Sequence, residues 1–572
     1  MNIKSLILSE KNSGPALFWA GLLLCCAAAW SFRLVSFLHA KDLMLALGLP
    51  VALFCQYRSG KAGMQGVVQL APLWLGLLFW GVSGIFTAQV PAYHVESMLR
   101  LALVLAAASL AMEAFRFRNG RLWLYGALVL SGVLVGGLAL LQYAGPGRGL
   151  FPEFPGYDQR AYSVFGNQNL LGGYMAFNLA LLASLFIRSR HRRLRITLLF
   201  AAAGAILLGA LLVSATRSAW LAAVVGGLTV LFLPGGPARL RALVRRRTRV
   251  QWLVPLLVAI LVLGLGAPLV LEKASRTFSE TDVGGRARLW FYAGAWNMVR
   301  ERPWTGAGLG QFGYWSPLYQ GRALWNPGGE GLYFNELHTD HAHSEPLEWF
   351  AETGLFGVLF WIWFLCRTLK ARSPALPAVI ALLVFGGFNT FSHSTPHLLG
   401  LLLCAAAFRS APQPEEKLLP RFAGICCAVL IPAGFIVAVI VPSALLCRAE
   451  QAPIAGDTRD ALYEQALAWP WPAYRAHESY AIALIDRGNY ETARTHLEAA
   501  LHGTDTGRVY LLLALCAEDL GHPDAALNHA RACIYRWPGN EYAWSVLLET
   551  CPEAQRPRWL GAREKFERAQ DR

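Results

Sequence analysis

The residues best suited to chemistry crowd into one stretch, HTDHAHSEPLEWFAETGLFG, running from His338 to Gly357. His338, His341 and His343 fall within six residues, with Asp340 among them. Imidazole and carboxylate are common metal ligands, yet these histidines show neither an i,i+4 helical pair nor a zinc-finger spacing, so no metal is expected. A neutral imidazole can instead accept a proton from a hydroxyl nucleophile. It can also do no more than hydrogen-bond loop backbone, and spacing alone does not choose. Arg217, in Ser-Ala-Thr-Arg-Ser-Ala-Trp, is the next informative residue. A guanidinium is always charged and grips phosphate oxygens through two donors, so Arg217 could hold a pyrophosphate. Arg286 and Arg288, in GGRARLWFYAGAW, add positive charge. Each arginine alone could equally form a solvated salt bridge. Arginines beside a histidine together make a site for an anionic, lipid-linked substrate.

The same region holds Trp290, Trp296, Trp304, Trp315 and Trp325 with Tyr292, Tyr314, Tyr319 and Tyr333. Such rings could pack on sugar faces, but any one of them more simply serves a membrane interface or a helical core. Residues 303–312, PWTGAGLGQF, carry glycines at alternate positions. Outside a strand-to-helix unit they make no nucleotide loop, and no cofactor is expected.

The elements that must position these groups follow from composition. Of 572 residues 55% are apolar and only 15% charged, where soluble chains run nearer a quarter charged. That excludes a soluble enzyme, a disordered chain and a small disulfide scaffold. The net charge of +15 is unevenly placed. Residues 456–572 hold thirteen basic and seventeen acidic residues, and the part before them holds 38 and 19. The basicity therefore belongs to the loops of a membrane protein, and nucleic acid is not an expected partner.

A bilayer core takes about 20 apolar residues as helix. Helices are expected near 15–31, 37–57, 66–86, 94–115, 122–144, 168–187, 195–213, 218–233, 251–271, 346–366, 376–391, 394–409 and 422–446, about thirteen spans in an all-α polytopic fold. The eleventh and twelfth could form one helical hairpin or a re-entrant pair. Alternate loops differ sharply in Lys/Arg: 24 on one side, and only Arg33, Arg148, Arg160 and Arg217 on the other. The richer side is cytoplasmic, its charge topogenic, so the N-terminus lies inside and the C-terminus outside. The first segment is a transmembrane helix rather than a cleaved signal.

Two regions are left outside the membrane: the loop 272–345 and everything after Arg448. Pairs 33 residues apart, Gly488 with Gly521, Ala493 with Ala526 and Ala500 with Cys533, mark a helical repeat. It resembles tetratricopeptide repeats with an incomplete signature, or else is a generic helical bundle. Either offers a concave face for a protein partner or for the chain's own membrane part. Cys516 could pair with Cys533 in an oxidising compartment. The expected division is 1–455, transmembrane, and 456–572, a periplasmic helical domain.

Several fragments together resemble the O-antigen ligase superfamily, which includes O-antigen ligases, Wzy-type polymerases and protein O-oligosaccharyltransferases. They are FGNQNLLGGYMA (165–176), ATRSAWLA (215–222), GRARLW with RPWTGAGLGQF (285–312) and HAHSEPLEWFAETGLFG (341–357), within about 90–410. The resemblance implies transfer of a glycan from undecaprenyl pyrophosphate, with inversion and without a metal or cofactor, at the periplasmic face of a bacterial inner membrane. The acceptor would be lipid A core, a growing polysaccharide or a protein. It implies that Arg217 contacts the pyrophosphate, that Arg286 matches the arginine four residues before the loop tryptophan, and that His343 activates the acceptor or contacts the leaving group. Ser344 stands where the family usually has Asn. His341 matches a more variable histidine. Arg288, His338, Asn167 and Asn169 are expected to bind substrate. A transporter and a membrane scaffold are the competing classes; the few charges in the helices, Lys41, Asp42, Glu96 and Arg100, lie near their ends and argue against transport.

Overall fold

A backbone surrounded by lipid must satisfy its own amides, and this chain does so with helix alone: no strand occurs among the described residues. The computed structural model describes residues 14–59, 63–117, 119–145, 160–189, 193–233, 236–246, 248–275, 283–333, 339–371, 373–405, 421–453 and 457–570. Eight helices are long and apolar enough to cross a membrane, and five further apolar helices are shorter. Every one of the thirteen expected segments is helical, and the protein is an all-α, multi-pass membrane protein. One arginine-rich stretch read as a loop is itself a helix, Gly236–Arg246. Arginine is a good helix former, and the only proline there sits at the second position, where its missing N–H costs nothing.

The helices meeting at the site are α1 (Gly14–Ala28), α2 (Phe37–Arg58), α3 (Pro91–Glu113), α4 (Gln168–Arg188), α5 (Arg217–Phe232), α6 (Val283–Glu301), α7 (Phe312–Trp325), α8 (Glu345–Ala371), α9 (Leu376–Gly386) and α10 (Thr395–Ala405). Charges buried among them have dedicated partners. Lys41 Nζ donates to the Ala27 and Ala29 carbonyls at 2.9 and 2.6 Å, a cation at the C-terminal end of α1 where the helix dipole favours it. Asp42 accepts from Arg100 Nε at 3.2 Å and from the Thr395 hydroxyl, joining α2, α3 and α10. Helix α9 has eleven residues, about 16 Å of rise, roughly half a bilayer core.

Helix α8 is broken at Gly354 (φ 63°, ψ −173°), and the glycine-rich stretch 303–312 lies in the break. Ala307 and Gly308 N–H groups donate to the Ala351 and Glu352 carbonyls at 2.9 and 2.8 Å, while Leu355 N–H donates to Pro303 O at 2.8 Å. The carbonyls freed by the break are thus satisfied by protein, the condition for irregular backbone at membrane depth. A Cβ on Gly306 would lie 2.3 Å from the Glu352 backbone, and one on Gly354 would lie 2.3 Å from that of Trp304, so the two segments approach only as glycine. The alternate glycines of the sequence are therefore a splint for a broken helix.

After Arg448 the chain forms helices Asp457–Leu467, Tyr474–Ile485, Tyr490–Ala500, Gly507–Asp519, Pro523–Arg536, Glu541–Thr550 and Arg556–Gln570. Gly488 and Gly521, 33 residues apart, take the same backbone turn (φ 75° and 73°), and the residue after each donates to a carbonyl five positions back, Leu484 and Ala517. Cys516 and Cys533 are both free; they are buried in different apolar clusters, which is why the hairpin does not bring them together as a pair. The last hairpins share a core with α6 and α7 through Trp290, Phe291, Tyr333, Trp544 and Phe566. Trp325 stacks on Tyr535 at 6.3 Å and donates to its carbonyl at 3.1 Å. Trp290 and Tyr333 are thus core residues, whereas Trp296 and Trp304 are more than half exposed.

Candidate functional site

The turn 339–344, immediately before α8, is the centre of the site. Glu348, in the first turn of α8, holds it with both oxygens: Oε1 lies 2.9 Å from His341 Nδ1, and Oε2 accepts from Ala342 N–H at 2.7 Å and from the Thr390 hydroxyl at 3.0 Å. Glu345 does the same for the facing loop, accepting from Phe391 N–H at 2.6 Å, Ser392 N–H at 3.3 Å and Trp349 Nε1 at 2.8 Å. Glu352 Oε1 accepts from Phe312 N–H at 2.9 Å and seats α7. These three glutamates, the loop 389–393 and His393 were missed in the sequence. The signal was present, since 345, 348 and 352 fall at helical spacing on one face of a helix entering the membrane.

The two histidines of the turn have opposite surroundings. His341 lines a cavity and stacks on His393 at 4.2 Å and 11°. Burial works against its charge, but the adjacent Glu348 carboxylate outweighs this and holds its pKa up at about 9. Its side chain is 37% exposed, towards that cavity. His393 is pushed well below the ordinary value by burial and by the neighbouring His341, so a neutral ring faces a charged one. His343 stacks on Phe291 of α6 at 5.6 Å, and its carbonyl accepts from the Tyr292 hydroxyl at 3.2 Å. That contact helps to hold a non-glycine residue at φ 52°. Burial first, then Arg288 and His341, lower its pKa to about 4, leaving a neutral imidazole.

Arg288 is therefore the arginine brought to His343. Arg286, two positions earlier on α6, points well around the helix from it, because a two-residue step turns about 200°. Arg217 opens α5. A cation at a helix N-terminus gains nothing from the helix dipole, so helix stability does not explain it. Its neighbours are tied to the rest of the site. Thr216 Oγ1 donates to Gln168 O at 3.2 Å and lies 3.4 Å from Asn169 Oδ1, and Ser218 Oγ accepts from Asn389 at 2.7 Å. Asn389 precedes Thr390, which bonds Glu348. Asn167 caps α4, its side chain accepting from Asn169 and Leu170 N–H groups at 2.8 and 3.2 Å, which gives it a local structural role. His338 lies outside the described residues.

Fold and site together define a polytopic membrane protein with a cluster of buried acids, histidines and arginines where loops cover one end of its helices. Residues 202–362 match the family described as O-antigen ligase, which supports the O-antigen ligase superfamily. The matched segment contains Arg217, Arg286, Arg288, His341 and His343, and excludes Asn167 and Asn169. It supports a ligase- or polymerase-type glycan-transfer function with a lipid-linked donor and a glycan acceptor in general. No curated protein matches the chain.

Proposed function

We propose that this protein transfers a glycan from undecaprenyl pyrophosphate to an acceptor at the periplasmic face of a bacterial inner membrane. The observation carrying the reading is the neutral His343 beside Arg288, on a turn tied through Glu348, Thr390 and Asn389 to the Arg217 loop. The acceptor hydroxyl oxygen attacks the anomeric carbon as the bond to pyrophosphate breaks, and the lipid pyrophosphate departs with the electron pair. Arg217 and Arg288 stabilise the charge developing on it, and the N-terminus of α5 adds to the same field. His343 takes the acceptor proton. Displacement from the opposite face inverts the anomeric centre, and no metal is required. Arg286 is assigned to the same substrate on the family resemblance alone, Asn169 on its place beside Thr216, and Asn167 as the cap that seats Asn169.

The distribution of Lys and Arg supports a cytoplasmic N-terminus and a periplasmic C-terminal domain, with tetratricopeptide-like hairpins from about residue 456. If α9 and α10 form a re-entrant pair, the number of crossings falls by two and stays odd, so the orientation is unaffected. The acceptor is lipid A core, a growing polysaccharide or a protein, as for a ligase, a Wzy-type polymerase or a protein O-oligosaccharyltransferase of the same superfamily. Deleting the gene in its host and comparing glycan on lipopolysaccharide, on protein and in free polymer names the acceptor by the pool that is lost. Three unchanged pools, without accumulation of undecaprenyl-linked glycan, would refute transfer.

A further inference from the structure

A cavity of about 860 Å³ lies between the membrane helices, the 283–345 region and the C-terminal hairpins, and it is separate from the arginines assigned to pyrophosphate: neither Arg217 nor Arg288 lines it. Its size is that of ligand pockets, about 300–1,000 Å³. Six carboxylates face it against four guanidiniums and the charged His341, a near balance that offers a polyanion no net attraction. The arginines are moreover already paired. Arg100 bonds Asp42 at 3.2 Å, and Arg536 grips Asp505 at 2.7 and 2.8 Å. Arg475 and Arg508 lie 3.4 and 3.6 Å from Asp340 and Glu478.

What such a wall suits is a neutral polyol. Carboxylates and guanidiniums held by one another keep spare lone pairs and N–H groups in fixed directions, so a hydroxylated ligand meets partners that need no further ordering. Planar rings stand among them: Tyr93 and Tyr474 meet edge to face at 5.9 Å, one from α3 and one from the C-terminal domain. His393 Nδ1 is buried and makes no hydrogen bond among the described residues. Resting on the glycan-transfer reading, we infer that this cavity seats the acceptor, and that what it takes is a short run of neutral sugar residues. The C-terminal hairpins then form one wall of the acceptor site, and His341 and Glu348 line it, His341 two residues from His343 on the same turn.

The test uses the full-length protein in detergent and, as probe, oligosaccharide released by mild acid from the host's own surface polysaccharide, followed by saturation-transfer NMR. Gly313 lines the cavity, and a Cβ there meets nothing closer than Asp340 at 3.5 Å. Wild type and Gly313→Ala are expected to bind the sugar, Gly313→Phe to bind it at least about tenfold more weakly, and Arg217→Ala to bind it unchanged. Gly313→Leu serves as the block if the phenylalanine variant does not accumulate. No sugar signal in the wild type, equal signals in wild type and the blocked variant, or loss in Arg217→Ala would each overturn the assignment. So would binding of a host serine-containing peptide, in place of sugar, that the same block abolishes. Glycan transfer in cells without sugar binding here removes this site and leaves the transfer reading standing; sugar binding here without transfer does the reverse.

Discussion

His341 and His343 are two residues apart on one turn, and the protein makes them chemically opposite. On the cavity side, Glu348 keeps His341 charged against the cost of burial. On the side facing α6, burial and Arg288 keep His343 neutral. The lesson is that role is set by the neighbour and not by the residue type. A carboxylate turns one imidazole into a fixed cation, while burial and an arginine keep the other neutral.

The largest expected effect separates the two sides directly. His343→Ala should lower glycan transfer by about 10²–10⁴-fold, the range for a general base, whereas His341→Ala should cost on the order of tenfold, mostly in acceptor KM; product formed by membranes containing equal amounts of each variant decides. Next comes the splint beneath both histidines. Gly354→Ala places a side chain at φ 63° and 2.3 Å from the Trp304 backbone, so it should cost at least about 1–3 kcal/mol, read as a lower Tm of the purified protein.

Exchanging Glu348 for Gln sharpens the comparison: the shape is kept and one oxygen can still accept from Ala342 and Thr390, while the other becomes an uncharged amide that donates. The His341 pKa should then fall well below about 9, because burial remains and its largest counter-charge is gone. Histidine NMR titration measures it; a value still near 9 would mean that another group holds the charge. The same two values contribute opposite limbs to the pH dependence of stability. His341 is raised on folding, so its contribution is complete below pH 6.5 and is lost as pH climbs through about 9. His343 is lowered, so stability is lost as pH falls from 6.5 through about 4. The two limbs meet near pH 6.5, and Glu348→Gln should remove only the alkaline one from the Tm profile. The smallest effect belongs to Arg475→Gln. Both side chains of the Arg475–Asp340 pair are more than half exposed, and the change in stability should stay within about 0.5 kcal/mol.

Much of the fold was legible because lipid imposes a simple code. Long, mainly apolar segments had to be helices, and each of the thirteen forms helix among the described residues. The arginine-rich stretch 236–246 was misjudged because charge density says where a loop must stay, not whether it coils. At the site, Arg217, Arg288, His341 and His343 could be chosen from residue type, but their division of labour could not. It depends on Glu348 reaching back seven residues to His341, and on residues 389–393 arriving from another part of the chain. Glu345, Glu348 and Glu352 show helical spacing in the sequence, but that spacing fits a solvated face as well as a buried one, and only the fold brings the loop 389–393 to them. The alternate glycines of 303–312 had a plain purpose that only the break in α8 discloses.

The central claim is transfer of a lipid-linked glycan, and reconstitution tests it most directly. Purified protein in lipid vesicles is given undecaprenyl-pyrophosphate glycan and each acceptor in turn: lipid A core, polysaccharide or protein. Glycan should appear on one acceptor while undecaprenyl pyrophosphate is released in equal amount, and His343→Ala should release at least about a hundredfold less. A wild-type protein that leaves the donor intact with every acceptor would contradict it.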